Sequence, residues 1–180
     1  MRLSSAKRNE QLQSAFAERI NFISLVSLFS PIKENTQALE AIAQVMTEKF
    51  FSKGDIILRE GKSGSEVFFL LDGEVAISKS TPDGERFPVA VLNHTGHAFF
   101  GEGALLDEEA RSATITAVTD CRCLTLEKRT FEVFGKTHPE WVLPILWKVA
   151  QTVMERLRKT NNDLILLYKA LVREIGGQID

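Results

Sequence analysis

Cysteine, proline and tyrosine are scarce in this sequence, and no apolar run is long. The only cysteines, Cys121 and Cys123, sit two apart in a strand-like stretch, so both point to one face. That spacing is too constrained for an ordinary disulfide and lacks the partners of a zinc site, which leaves them as structural thiols. No stretch reaches the roughly 18 apolar residues that span a bilayer. The opening residues, Met-Arg-Leu-Ser-Ser-Ala-Lys-Arg, lack the apolar core and cleavage site of a secretory signal. A cytoplasmic protein without a membrane anchor is expected. Basic excess is missing too: 22 Lys and Arg against 24 Asp and Glu leave a net charge of −2. That balance gives no global pull toward nucleic acid, so a small anion would have to be captured locally. Of three histidines, His94, His97 and His138, the first two bracket a turn and lack a carboxylate at ligand spacing, which argues against a metal-binding cupin barrel and for a chain with no metal site.

What is present is ordinary globular material, 44% hydrophobic and 26% charged over 180 residues, enough for one domain and an appendage. A short polar helix is expected from about Ala6 to Glu18, then an apolar segment from Ile20 to Phe29 that ends at Ser30-Pro31. Leu39, Ile42, Ala43 and Met46 recur at i, i+3, i+4 and i+7, the stripe of a second helix. From Phe50 the texture changes to turn signals about every ten residues, among them Gly54-Asp55, Asp72-Gly73 and Pro82-Asp83-Gly84. Between these turns the expected strands are Ile56–Leu58, Val67–Leu71, Glu74–Lys79, Arg86–Leu92, Ser112–Val118 and Cys121–Leu126, the pattern of a β-sandwich or jelly-roll-like barrel. The chain therefore divides into an N-terminal helical segment, 1–49, a β-unit, 50–130, and a hinge with a C-terminal helix, 131–180.

The stretch from Phe99 to Ala117 carries the chemistry. Gly101-Glu102-Gly103 leads into an apolar turn, Ala104-Leu105-Leu106, and then to Arg111 among the small residues Ala110, Ser112 and Ala113. An arginine at a strand start with tiny neighbours is half-buried with its fork of donors intact, which suits one phosphate. Glycines let the backbone approach a ligand, successive N–H groups favour an anion, and a nearby carboxylate can accept from a sugar hydroxyl. Asp107, Glu108 and Glu109 read as a solvated rim. Phe-Gly-Glu-x-Ala-Leu-Leu-x-x-x-x-Arg-Ser-Ala-Thr at positions 100 to 114 resembles the phosphate-binding cassette of the cyclic nucleotide-binding domain family. The turn spacing from Gly54 to Val75 is similar to the family's β-roll, so the likeness covers roughly residues 25 to 160. The resemblance implies an α+β fold: N-terminal helices, an eight-stranded antiparallel β-roll with the cassette, and a long C-terminal helix. It implies that Glu102 accepts from the ribose 2′-hydroxyl and Arg111 clamps the cyclic phosphate. Gly101, Gly103, Ala104, Ser112 and Ala113 would supply backbone or hydroxyl donors. Gly103 stands where the family usually has Leu or Met, and Ala110 where it has Pro; neither change removes a polar contact.

The C-terminal helix is expected to begin at Pro139 or Pro144 and to end at Gly176-Gly177. Leu146, Ala150, Val153, Leu157, Thr160, Leu164, Leu167 and Leu171 alternate at spacings of four and three, which predicts a parallel homodimer seam. The bland alternative is a helix packed on its own barrel. In the catabolite-activator branch of the family this helix offers a Thr-Ser pair to the purine, and Thr160-Asn161 resembles that pair. A plain register role for Thr160 weighs equally. That branch also carries a helix-turn-helix, for which this sequence has no counterpart; a stand-alone sensor and a transcription-regulator fragment both fit.

A hydrolase of cyclic phosphates would need a metal cluster or a poised nucleophile and base, and neither is legible. The expected function is a non-enzymatic sensor without a cofactor that binds a cyclic mononucleotide, cAMP ahead of cGMP. A hinge near Phe131–His138 would pass occupancy to the helix and on to a downstream protein effector. The alternative is a degenerate dimerisation scaffold that binds no nucleotide.

Overall fold

The computed structural model describes residues 5–106 and 110–176; the acidic run Asp107–Glu109 and Gly177 lie outside the described residues. Its elements run α1 (Ser5–Leu25), a 3₁₀ segment (Ser27–Ile32), α2 (Thr36–Val45), strands β1 (Thr47–Phe51), β2 (Ile56–Leu58), β3 (Glu66–Asp72), β4 (Glu74–Ser80) and β5 (Arg86–Asn93). Then follow β6 (Phe99–Phe100), a 3₁₀ turn (Glu102–Leu105), β7 (Thr114–Ala117), β8 (Cys121–Glu127), α3 (Lys128–Thr137) and α4 (Pro139–Gly176). The expected architecture of N-terminal helices, eight antiparallel strands and a long C-terminal helix is the one observed.

Two four-stranded antiparallel sheets face each other, in the orders β1-β8-β3-β6 and β2-β7-β4-β5. β3 explains the arrangement. Its Phe68 and Leu70 point between the sheets, with Leu58, Val75, Phe100, Ile115, Cys121 and Cys123. Val67 and Phe69 point the other way, into a second core built with the helices, where Leu124 and Leu126 of β8 join them. A strand covered on both faces needs a continuous apolar run, and Val-Phe-Phe-Leu-Leu supplies it. Burial pushes the inward Cys123 thiol up to about 12, with the neighbouring Cys121 adding to the shift, and it raises Cys121 as well.

The N-terminal helix is longer than the sequence suggests. It continues past Glu18 to Leu25 because Phe22 and Ile23 belong to the helical core, and only the Pro31 segment tightens into 3₁₀. The Arg122 guanidinium of β8 holds α1 to the sheet through two bonds to Glu18, at 3.0 and 2.8 Å, and a third to Glu48. Those Glu18 and Glu48 bonds raise the basicity of Arg122, and the Arg122 bond holds the Glu18 carboxyl below its usual range. Asn35 caps α2 by accepting from the Ala38 N–H at 3.0 Å. Two strands escape a reading by alternation. β1 is mostly polar and is held by pairing with β8, where the Thr47 and Thr125 hydroxyls meet at 2.8 Å; β6 has two residues only.

α4 begins at Pro139 and buries Val142, Ile145 and Val149 against the helical core, with Leu146 and Val153 partly buried beside them. The eight-residue stripe read from sequence is thereby divided. Leu146 and Val153 are spent on the protein's own body, whereas Ala150, Leu157, Leu164, Leu167 and Leu171 remain exposed. Among the described residues no helix is long and apolar enough to cross a membrane.

Candidate ligand-binding site

A cavity of about 390 Å³ opens between the β2-β7-β4-β5 sheet, the 3₁₀ turn after β6, and α4. Its floor is apolar: Leu58, Ile77, Phe100 and Ile115. Gly101, Glu102 and Gly103 form one wall, Arg111, Ser112 and Ala113 a second, and Val153, Arg156, Leu157 and Thr160 of α4 the third. Seven of the nine residues singled out in the sequence thus line one space. Ala104 and Asn161 do not line it. Ala104 is buried behind the wall, and its N–H donates to the Gly101 carbonyl at 3.1 Å, so that amide is used to close the turn. Asn161 is exposed on another face of α4.

Arg111 is held from both ends. Its backbone N–H donates to the Lys62 carbonyl at 2.9 Å, and its carbonyl accepts from Gly61 at 2.9 Å, which ties the strand start to the β2–β3 loop. Its guanidinium donates through Nη1 to the Gly101 carbonyl at 3.0 Å and through Nη2 to the Glu66 carbonyl at 2.7 Å. Two glycines make room. A Cβ on Gly64 would sit 2.7 Å from Nη2 and 2.8 Å from Nε, and one on Gly101 would sit 2.8 Å from Nη1. Gly101 also has φ +76°, a left-handed conformation that disfavours any side chain. Nε is buried with no hydrogen-bond partner among the described residues. A buried charged donor left unsatisfied is costly, and an anionic acceptor is the group that would repair it. Burial lowers the basicity of Arg111, and the Glu66 and Glu102 carboxylates oppose that shift.

Among the described residues Glu102 is the only buried acid, at 6% exposure, and Arg156 of α4 pairs with it through Nη1. The Arg156 guanidinium also lies over the Phe99 ring, 5.6 Å from its centroid. Thr160 donates its hydroxyl to the Arg156 carbonyl at 3.0 Å, one turn back. Arg156 and Gly64 were not legible as site residues. Arg156 sits in a basic run, Arg-Leu-Arg-Lys, where any one charge looks solvated, and Gly64 belongs to an ordinary polar loop.

Fold and cavity together define a β-roll with a walled pocket that carries an arginine and a buried carboxylate, closed on one side by its own C-terminal helix. The family profile described as cyclic nucleotide-binding domain matches residues 48–138, and the chain belongs to that family. Human cGMP-dependent protein kinase 2 is 34% identical over 132 residues, 73% of this chain and 16% of the kinase. A CRP-like cAMP-activated global transcriptional regulator of Mycobacterium tuberculosis is 24% identical over 143 residues, 79% of this chain and 61% of the regulator. The chain thus spans less than two thirds of either relative. Among solved structures, a cyclic nucleotide-binding domain from Methylobacillus flagellatus superimposes with a TM-score of 0.71 at 20% identity, covering 84% of this chain and 83% of that one, a likeness of fold.

Proposed function

We propose that this chain is a non-enzymatic sensor that binds a cyclic mononucleotide, cAMP ahead of cGMP, and reports occupancy through α4 to a protein partner. The observation that carries this reading is Arg111: a guanidinium fixed by two carbonyls, with its Nε buried and unpartnered, at the wall of a cavity that also holds a buried carboxylate. The cyclic phosphate satisfies Arg111, a ribose hydroxyl donates to Glu102, and the purine lies against Leu58, Ile77, Ile115 and Leu157. Thr160 is the polar group closest in kind to a base contact from α4, and Ser112 is the hydroxyl that would favour guanine. No group of three or more His, Cys, Asp or Glu residues suited to a metal occurs among the described residues.

Transmission follows from Arg156. A ribose that donates to Glu102 changes the pairing that fastens α4 to the cassette, so occupancy is felt by the helix. The α3–α4 junction, where His138 stacks on Trp141 with ring centroids 4.2 Å apart, is the hinge. By linkage the ligand shifts the helix only through its differential affinity for the two arrangements. α4 also joins two copies in a homodimer in the cytoplasm, where the nucleotide is met.

Calorimetric titration of the purified chain with cAMP and with cGMP, after refolding to remove any carried nucleotide, tests the proposal. Micromolar or tighter heat with cAMP is expected. Tighter binding of cGMP would reverse the base preference, and no heat with either would leave a dimerisation scaffold instead.

A further inference from the structure

Arg111 borders two spaces, not one. A second cavity, of about 300 Å³, lies between β2, the loop of residues 59–65 and the start of β3. Arg59, Lys62 and Gly64 line it and do not line the nucleotide cavity, whereas Leu58 and Arg111 line both. The guanidinium has a side for each. Gly64, of the second cavity, abuts Nε and Nη2, where a Cβ would sit at 2.8 and 2.7 Å; Gly101, of the first, abuts Nη1, where a Cβ would sit at 2.8 Å. The buried Nε that lacks a partner among the described residues is therefore on the edge that borders the second cavity.

Positive charge is gathered there without a counterion. Arg59 and Lys62 have no ion-pair partner among the described residues. The one carboxylate in the lining, Glu66, is taken by Lys49, whose Nζ donates to its two oxygens at 2.6 and 2.7 Å. Backbone donors add to the charge. The N–H groups of Ser63, Gly64 and Ser65 have no acceptor among the described residues, yet the loop is fixed at both ends. The Gly61 N–H donates to the Arg111 carbonyl at 2.9 Å, and the Ser65 carbonyl accepts from the Lys128 N–H at 2.7 Å. Successive free amides beside a lysine and two arginines suit an oxyanion. Exposed Arg59 and Lys62 alone would be solvated charges. Arg111 differs, because its buried Nε is a charged donor that water does not satisfy.

We infer that this second cavity binds a small free oxyanion of the phosphate class, and that the anion antagonises nucleotide binding through Arg111. The oxyanion is held by Arg59, Lys62 and the amides of residues 63–65, and it draws on the Nε–Nη2 edge of Arg111. The site stands on those residues alone; the antagonism rests on the cyclic nucleotide proposed for the first cavity. One guanidinium offers one unpartnered donor, so an anion that holds it at the second cavity leaves less of it for the cyclic phosphate. Two anions on either side of one guanidinium also repel each other, and linkage makes the loss mutual. A free oxyanion thereby sets the nucleotide concentration at which the chain responds.

Titration calorimetry with cAMP, in chloride and in millimolar inorganic phosphate at equal ionic strength, tests the antagonism. The melting temperature of the nucleotide-free chain in the same two buffers tests the site by itself. The comparison protein carries Arg59→Gln and Lys62→Gln, both exposed and outside the nucleotide cavity. In the wild type, phosphate is expected to weaken cAMP binding about fivefold or more, the lower end of an ordinary coupling, and to raise the melting temperature. The variant is expected to bind cAMP in chloride as the wild type does, to lose the phosphate effect on affinity, and to gain less in melting temperature. Equal weakening in both proteins would put the phosphate in the nucleotide cavity and overturn the second site. No weakening in the wild type would overturn the antagonism. Equal melting shifts in the two proteins would overturn the site even where cAMP gives no heat, so its failure is separable from failure of the nucleotide reading.

Discussion

One methyl group added at Gly64 separates the role of the Arg111 guanidinium from that of its charge. In Gly64→Ala the new Cβ would lie 2.7 Å from Nη2 and 2.8 Å from Nε, well inside the 3.4 Å at which ordinary contact begins. The colliding group is the far end of a flexible side chain, so the fold survives and the guanidinium moves. Its movement breaks the 2.7 Å bond to the Glu66 carbonyl or the 3.0 Å bond to Gly101, so the melting temperature should fall, by about 2–4 °C for each kcal/mol lost. The displaced guanidinium also misses the phosphate, and a hydrogen bond from a charged donor contributes about 1.5–3 kcal/mol, where each 1.4 kcal/mol is about tenfold in affinity. Cyclic nucleotide binding should therefore weaken by between about tenfold and a hundredfold. Gly96→Ala is the control, because it is exposed outside the cavity, a Cβ there meets only Asn93 Oδ1 at 3.9 Å and the backbone is not left-handed. It should stay within about 0.5 kcal/mol of wild type, as a surface substitution does. Gly101→Ala is a poorer choice, since its φ of +76° adds backbone strain to the collision. Titration calorimetry of wild type and both variants reads the result, and equal affinities for Gly64→Ala and Gly96→Ala would refute the slot.

Removal of the clamp itself, Arg111→Ala, should cost about 2–5 kcal/mol of binding, as for a truncated buried charge pair; wild-type affinity in that variant would show that the anion binds elsewhere. Glu102→Ala should weaken binding of the 2′-hydroxyl nucleotide and leave its 2′-deoxy analogue nearly unaffected, and equal losses for both in the same titration would remove the ribose role. Leu164→Asp, beyond the cavity, should give monomers in sedimentation velocity, and an unchanged mass would break the seam. Stability should also fall in alkali. The unfolded Cys123 thiol ionises near its ordinary value of 9.0, whereas the folded thiol holds its proton to about 12. Between those values the unfolded state binds fewer protons, so stability declines as pH rises, at up to about 1.4 kcal/mol per pH unit. The difference in urea midpoint between wild type and Cys123→Ala should shrink from pH 9 toward pH 12, and a constant difference would contradict the buried thiol.

The sequence exposes those parts of the fold whose local pattern and tertiary role agree. β2 to β5 are legible because glycine turns bracket them, and the glycine–glutamate turn and Arg111 are legible because their chemistry is dense within fifteen residues. β1 is not, since Thr-Glu-Lys-Phe-Phe becomes a strand only by pairing with β8, whose Arg122 side chain reaches back 74 residues to Glu48. The continuation of α1 is hidden for a related reason: Phe22 and Ile23 look like a separate apolar segment until the core that receives them exists. Spacing alone cannot say which side of α4 meets the body. Ala150, Leu157, Leu164 and Leu171 belong both to the stripe with Leu146 and Val153 and to one with Trp147 and Met154, and both stripes are apolar. Burial of Val142, Ile145 and Val149 decides between them, and that burial depends on where the 3₁₀ segment and α3 place their side chains. Arg156 is hidden because its partner lies 54 residues upstream.

α4 has an arc that packs on the body, with Val142, Ile145 and Val149, and an exposed arc beside it, with Leu143, Trp147 and Leu164, and the cavity sits on their border. Thr160 belongs to the arc that faces the body, Leu157 to the arc that faces outward, and both line the space between Glu102 and Arg111. A ligand there touches one residue from each arc and competes for the carboxylate that Arg156 holds. Occupancy therefore cannot alter the contact between helix and cassette without also altering Leu157, through which copies would meet. For the proposed homodimer this shared border predicts coupling between nucleotide binding and assembly, and by linkage it should run both ways: whatever strengthens association through Leu157 should change nucleotide affinity by the same factor.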